Sequence, residues 1–336
     1  MDKEKIKIYE EMIKKGINQR DKIEETMQEI FKKDIKNIYL VGCGGSLAVM
    51  NPLKYILETN SKIPVYVYNS SEFLAIKPES FSENSLLITS SYSGTTQETV
   101  DSADFANKVG ATTIGFTGEA DSPLGKGVDY VFANKADEGV TDSKMVMLYQ
   151  IIFNILKHKA NYQEYDEMMA AMDKLPELLV DVKYKVEDAA QEFAETYQDA
   201  EYFMVLGAGP TWGMAYTYAT CILEEMQWIH AQPVHSGEFF HGAFEIVRED
   251  TNIILFKGED RTRPLAERAE KFSKKYSNNL ILVDTKDHEL PGIPEKFRGY
   301  FSPLFLSSIM DVYSKKIADI RDHPLETRKY MGKVDY

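Results

Sequence analysis

An apolar run that ends in a glycine turn and continues as a helix occurs twice in this chain. Ile38-Tyr39-Leu40-Val41 leads into Gly42-Cys43-Gly44-Gly45-Ser46 and a helix-like stretch from Leu47 to Leu57. Tyr202-Phe203-Met204-Val205-Leu206 leads into Gly207-Ala208-Gly209-Pro210 and a helix-like stretch from about Met214 to Met226. Strand, glycine turn and helix in that order open a parallel α/β unit. A lone Gly-x-Gly is weak evidence. Here the elements that follow repeat as well. Strand candidates stand at Val65 to Tyr68, Leu86 to Thr89, Thr113 to Phe116 and Tyr130 to Phe132, and after the second opening at Ile253 to Phe256 and Leu280 to Val283. A long helical region is expected over roughly 142–198. The pattern predicts an α/β chain of two lobes, each a doubly wound parallel sheet flanked by helices, over 36–190 and 191–320. An N-terminal helix over 1–35 precedes them and a C-terminal tail over 321–336 follows.

The 336 residues are 43% hydrophobic and 27% charged, ordinary values for a globular chain. A formal net charge of −14 disfavours nucleic acid, whose phosphates that average field repels. It does not exclude a small phosphorylated ligand held locally at a helix N-terminus. The two cysteines, Cys43 and Cys221, form no C-x-x-C pair, which suits a reducing compartment. The start, Met1-Asp2-Lys3-Glu4-Lys5, is charged and no apolar signal region follows it. No run of 18 or more apolar residues suggests a membrane span. A cytoplasmic location without membrane or nucleic-acid partners is expected. No histidine pair at i, i+4 has a carboxylate partner, so no metal is expected. Neither glycine turn completes G-x-G-x-x-G, because Leu47 and Trp212 stand where the third glycine belongs. A dinucleotide site is therefore disfavoured, and no cofactor is expected.

Chemistry concentrates in two places. Ser90-Ser91-Tyr92-Ser93-Gly94-Thr95-Thr96-Gln97 follows a strand and opens a helix. A helix cap needs one hydroxyl, and this turn offers five, so phosphate binding is favoured over capping. In the second lobe, Glu224-Glu225 ends a helix and Val234-His235-Ser236-Gly237-Glu238-Phe239-Phe240-His241-Gly242 follows. Neighbouring residues on an α-helix point about 100° apart, so the two glutamates cannot face one cleft together. His230 and His235 read as packing or surface residues, and His158, His288 and His323 as surface positions.

Ser91-x-Ser93-Gly94-x-Thr96 resembles the phosphate loop of sugar isomerase (SIS) domains, as in the isomerase half of glucosamine-6-phosphate synthase. Cys43-Gly44-Gly45-Ser46 is similar to that family's C-G-T-S turn, with Ser46 carried over and a glycine in place of the threonine. Gly139-Val140-Thr141-Asp142-Ser143-Lys144 resembles its G-V-A-S-T-K turn, with aspartate as a departure. The resemblance implies a base at Glu225 and a histidine sixteen residues later at His241, and it leaves Glu224 in solvent. Ser236-Gly237-Glu238-Phe239-x-His241-Gly242-x-Phe244-Glu245-Ile246-Val247 is similar to the fructoselysine-6-phosphate deglycase branch. So is the tail from Asp322-His323-Pro324 through Arg328-Lys329-Tyr330 to Val334-Asp335-Tyr336. Asp2 stands where the synthase's glutaminase nucleophile would be, so ammonia from glutamine is not expected.

The resemblance implies hydrolysis of a 6-phosphorylated fructosamine to glucose 6-phosphate and an amine. The substrate contacts implied are Ser46, Ser91, Ser93 and Thr96, with Gly45, Tyr92, Val140 and Lys329, and the tail lying over the active site. A glucosamine-6-phosphate deaminase or a ketose–aldose isomerase would use the same residues. A non-catalytic sugar-phosphate sensor is disfavoured because no basic recognition helix precedes the first strand. A homodimer with shared active sites is also implied, the histidine loop reaching a neighbour. Trp228, Phe239, Phe240 and Phe244 crowd that loop, and aromatics are favoured at interface cores.

Overall fold

Among the described residues there are nine strands in two parallel sheets, eight of them where the sequence places strand candidates. A computed structural model of the chain describes residues 2–135 and 137–334. Asp335 and Tyr336, at the end of the C-terminal motif, lie outside the described residues. The chain forms two compact units, Asp2–Glu177 and one beginning at Leu178.

In the first unit, β1 (Asn37–Gly42), β2 (Val65–Asn69), β3 (Ser85–Ser90), β4 (Thr112–Thr117) and β5 (Tyr130–Ala133) stand in the order β2-β1-β3-β4-β5. All neighbours are parallel. This is the doubly wound, flavodoxin-like order, in which the direction of winding reverses between β1 and β3. β1, β3 and β4 are buried along their whole length. That is why they read as continuous apolar runs, since helices cover both faces of a parallel sheet. One face packs Tyr39, Val41, Phe73, Phe81 and Leu87. Burying each such side chain contributes roughly 1.5–3 kcal/mol.

Helix Val140–Ala160 is buried from Met145 through Leu156, apolar nearly all round as a core helix must be. The N-terminal segment packs against it as two helices, Lys3–Ile17 and Arg20–Ile30. At Gly16 a Cβ would lie 2.6 Å from Ser143 Oγ, so only glycine permits this approach. Ser143 Oγ donates to Met12 O at 2.8 Å and Gln150 Nε2 to Gly16 O at 2.9 Å.

In the second unit, β6 (Tyr202–Gly207), β7 (His230–His235), β8 (Asn252–Lys257) and β9 (Asn279–Asp284) stand in the order β7-β6-β8-β9, again parallel. This repeats the first four strands of the other sheet, so the expected duplication is present in the topology. Phe239, Leu206, Leu255 and Ala269 form part of its core.

Several elements differ from expectation. Strand β7 was not legible, because Pro233 and two histidines disguise it. Proline cannot donate to a ladder, and β7 is an edge strand, where that loss is tolerated. The helix expected over 47–57 is two pieces, Gly44–Ala48 and Asn51–Asn60. The helical region after it comprises Val140–Ala160, Tyr165–Met172, Leu175–Lys185 and Glu187–Tyr197. The helix expected over 214–226 begins as Trp212–Tyr216 and continues as a π-helix, Thr217–Glu224.

Candidate functional site

The strand ends place the first half of the site. Gly42 of β1 pairs with Ser90 of β3, so the turn after each emerges side by side at the carboxyl edge of the sheet. This is the switch point where open α/β sheets bind ligands. From β1 comes a tight turn in which Gly44 adopts φ +50° and Ser46 N–H donates to Cys43 O at 3.1 Å. Ser46 and Gly45 are partly exposed there. Cys43 Sγ lies 3.9 Å from Asn69 Nδ2 and 4.0 Å from Thr99 Oγ1.

From β3 comes the hydroxyl loop. Ser91 Oγ lies 2.8 Å from Thr96 Oγ1 and 3.3 Å from Ser93 Oγ. It accepts the Gly94 N–H at 3.1 Å, and Ser93 Oγ accepts the Thr95 N–H at 3.2 Å. Gly94 adopts φ +67°, and a Cβ there would sit 2.1 Å from Ser122 Oγ; the loop requires glycine at this point. Thr96 is the N-cap of helix Gln97–Val109, yet it makes no side-chain cap hydrogen bond. Capping therefore does not explain the Thr96 hydroxyl, while Ser91 and Ser93 hold N–H groups of the turn itself. The hydroxyls converge on each other beside a helix start, the donor-rich arrangement an anion needs.

Val140 is the first residue of its helix, preceded by Gly139 at φ +70°. Val140 and Tyr92 line one small cavity with Ser90, Thr117, Asn134 and Lys144. Its volume is about 10 Å³, roughly room for one water. Lys144 Nζ lies 3.2 Å from Ser90 Oγ, and burial pushes its ammonium down to about 8. Asn134 is buried and neither atom of its amide group has a hydrogen-bond partner.

The second unit uses the equivalent strand end differently. The turn after β8 holds Asp260, whose Oδ1 accepts Thr262 N–H at 2.7 Å and Thr262 Oγ1–H at 2.6 Å. Its own carboxylate thus occupies the donors an anion would need. Beside it, Lys257 pairs with Glu270 at 2.7 Å and Asp284 at 3.1 Å, and Arg263 grips Asp284 at 2.6 Å. Ion pairs close this end of the sheet.

Glu225 follows directly on the π-helix, its N–H donating to Thr220 O at 3.1 Å, five residues back. Its carboxylate is partly buried and meets Arg328 Nη2 at 2.9 Å. Arg328 Nη1 donates in turn to Leu325 O at 2.7 Å and Thr327 O at 3.0 Å. Glu224 is exposed and turned toward the Ala231 N–H, 3.4 Å away. The two glutamates do diverge, although the backbone here is π rather than α. Trp228 follows at φ +56°, an uncommon conformation for a bulky residue. Its ring meets His323 edge-on at 4.6 Å, and Gln227 Nε2 donates to His323 O at 2.8 Å. These contacts tie the tail to the end of the helix that carries Glu225.

His241 lies in a short 3-10 turn, Phe239–His241, and is exposed. No hydrogen bond joins it to Glu225 among the described residues. Lys329 is exposed, with Nζ 5.1 Å from the Tyr330 ring centre. The tail side chain that reaches Glu225 is its neighbour Arg328, which sequence reasoning left without a role. His323 is not a surface position: it is half-buried between Trp228 and Gln227. His288 is half-buried too, while His158 is exposed with its ring stacked 5.0 Å from Phe31. His235 Nδ1 accepts the Gly237 N–H at 3.1 Å, a packing role, and His230 is exposed.

The aromatic crowding near His241 has an explanation within the unit. Phe239, Phe240 and Phe244 pack around Phe272 of helix Arg263–Tyr276 at 5.5–5.8 Å between ring centres. Arg268 lies 4.0 Å over the Phe240 ring. Only Trp228 of the four remains substantially exposed, at 49%.

The SIS domain family matches residues 31–155. Fructosamine deglycase FrlB of Bacillus subtilis (strain 168) is 37% identical over 317 residues, covering 94% of this chain and 97% of that protein. Fructoselysine 6-phosphate deglycase of Escherichia coli (strain K12) is 26% identical, covering 92% of this chain and 90% of its own. A crystal structure from Bacillus subtilis, assigned as a candidate phosphosugar isomerase, superposes with TM-score 0.92 at 35% identity, covering 96% of this chain and all of that one. The C-terminal domain of glucosamine-fructose-6-phosphate aminotransferase from Francisella tularensis shares the fold at TM-score 0.79 and 20% identity, over 96% of each chain.

Proposed function

We propose that this chain, which belongs to the SIS-domain family of fructosamine deglycases, is a deglycase of phosphorylated fructosamines that works by hydrolysis. Ser46, Ser91, Ser93 and Thr96 bind the phosphate, and Gly45, Tyr92, Val140 and Lys329 are further substrate contacts. Glu225 removes the C1 proton of the open-chain 1-amino-1-deoxyketose, giving an enaminol. Protonation at C2 gives the aldimine of glucose 6-phosphate. Addition of water to its C=N carbon, followed by C–N cleavage, releases glucose 6-phosphate and the free amine. His241 is the general acid for ring opening or for the leaving amine. Each acid or base contributes on the order of 10²–10⁴ in rate.

The observation that carries this reading is the seating of Glu225. A carboxylate at a helix end, oriented at 2.9 Å by Arg328, is suited to abstract a carbon-bound proton because its direction is set before substrate arrives. The π-bonded turn beneath it points the same way, since such turns concentrate at functional sites. The reading includes a cytoplasmic location and a homodimer whose sites are shared. No helix among the described residues is long and apolar enough to cross a membrane.

The test is a panel of 6-phosphorylated fructosamines with different amines, with glucose 6-phosphate measured by a coupled dehydrogenase. Stoichiometric release of glucose 6-phosphate and amine is expected. Turnover of glucosamine 6-phosphate or of a ketose phosphate, without cleavage of any fructosamine, would favour the deaminase or isomerase reading. Tight binding with no turnover at all would favour a sensor.

A further inference from the structure

The hydroxyl loop offers dipoles but no net charge, whereas its expected ligand is a dianion. The chain as a whole carries −14, so its average field opposes that ligand. A local cation adds to those dipoles, and the first unit holds one beside Ser90, at the strand end from which the loop springs. Lys144 Nζ lies 3.2 Å from Ser90 Oγ, and Ser90 immediately precedes the loop. Lys144 lines one small cavity with Ser90, Tyr92, Thr117, Asn134 and Val140, among others.

This lining contains no carboxylate; its other titratable group is the Tyr92 phenol. The charged groups on neighbouring segments are engaged elsewhere. Asp142, on the same helix, accepts the Tyr9 hydroxyl at 2.6 Å. Glu138 stands 3.9 Å from Lys5, and Lys135 pairs with Glu119 at 2.6 Å. Asn134 is 6% exposed and presents an amide with both polar atoms unpartnered. Buried polar groups left unpaired are uncommon and call for an explanation.

We propose that Lys144, with Ser90 and Asn134, is the cationic floor of the phosphate subsite, and that binding of the phosphate dianion draws a proton onto its amine. The proposal rests on reading Ser91–Thr96 as the phosphate loop. Burial alone holds the free amine down to about 8, and a dianion nearby raises it again. Below that pH the amine is protonated before and after binding, so affinity is flat. Above it binding must take up a proton, and affinity falls by up to about tenfold per pH unit until the bound-state value is passed. The second ionisation of a sugar phosphate, near 6, is complete before this range begins. Lys144 acts through Ser90 and through its field, and is a positioning residue.

The experiment is calorimetry of the intact protein with fructose 6-phosphate. Titrations are run at pH 7.2 and 8.8, each in two buffers of different ionisation enthalpy. The unmutated protein should take up roughly 0.8 proton at the higher pH and bind about sixfold more weakly than at the lower. Lys144→Met should lose at least about tenfold in affinity at pH 7.2 and show no uptake. Lys144→Arg, a permanent cation, should bind within about threefold of the original and also show no uptake. Absence of proton uptake by the unmutated protein at pH 8.8 overturns the proposal, and this measurement depends on no variant. Retained affinity and uptake in Lys144→Met overturn it equally. Ser93→Ala separates the two failures. If it leaves sugar-phosphate affinity unchanged, the loop reading itself is wrong. If it weakens binding while no proton is taken up, the Lys144 assignment alone falls.

Discussion

Arg328, far along the chain in the C-terminal tail, closes its guanidinium on the carboxylate of Glu225 at 2.9 Å. Its other terminal nitrogen is held by the tail's own carbonyls, those of Leu325 and Thr327. The fork is therefore fixed before it meets the glutamate, which lowers the entropy cost of orienting the carboxylate. Both side chains are about a quarter to a fifth exposed, so the pair contributes at most about 1 kcal/mol to stability. Its larger consequence is direction. Arg328→Ala should lower kcat roughly 10–100-fold with little change in KM or Tm, as loss of orientation does. Arg328→Lys should recover part of the loss. Steady-state kinetics with a phosphorylated fructosamine, alongside thermal unfolding, checks this. An unchanged kcat in Arg328→Ala would show that the pair does not orient a base.

Glu225→Gln keeps the shape of the side chain and removes its capacity to accept a proton. Turnover should fall by about 10²–10⁴ while sugar-phosphate binding stays within a few-fold. Single-turnover kinetics and calorimetry measure the two separately. A residual kcat above about a tenth of the original would be too high for loss of the general base.

Ser91 and Ser93 contact each other and the loop's N–H groups. Phosphate contacts exist in the ground state and the transition state alike, so losing them resembles loss of uniform binding. Ser91→Ala and Ser93→Ala should raise KM more than they lower kcat. Ser91 is the more buried and is bonded on three sides, so its variant should also lose about 1 kcal/mol of stability. Equal affinity of the unmutated protein for phosphorylated and unphosphorylated sugars would remove the basis of this assignment.

His241 is exposed within its own unit, whereas Phe239, Phe240 and Phe244 beside it are engaged with Phe272. A histidine that completes a neighbour's site predicts complementation. Glu225→Gln and His241→Ala chains should each be inactive, and mixing them under subunit exchange should restore up to roughly a quarter of the original activity per chain, by random pairing in a two-fold dimer. No recovery despite exchange verified by mass would mean that each chain uses its own histidine.

What the sequence determined by itself was local. Strand runs such as Ile38–Val41 are apolar because both faces of a parallel strand are covered, and that shows in consecutive residues. The hydroxyl loop was legible for the same reason: Ser91, Ser93, Gly94 and Thr96 are neighbours in the chain, and their contacts are made among themselves. Tertiary structure decided whatever depends on partners distant in sequence. Strand β7 exists because β6 offers it a ladder, despite Pro233. The turn before Glu225 is π-bonded rather than α, a difference that no periodicity of short apolar runs reports. Lys144 looks like any helix-start lysine until folding brings it to Ser90 and into one cavity with Asn134 and Tyr92. Arg328 and Lys329 are adjacent and alike in charge, yet only Arg328 meets Glu225. Which of two neighbouring side chains faces inward is fixed by how the tail docks, through His323 on Trp228 and Gln227, and docking is a property of surfaces that exist only after folding.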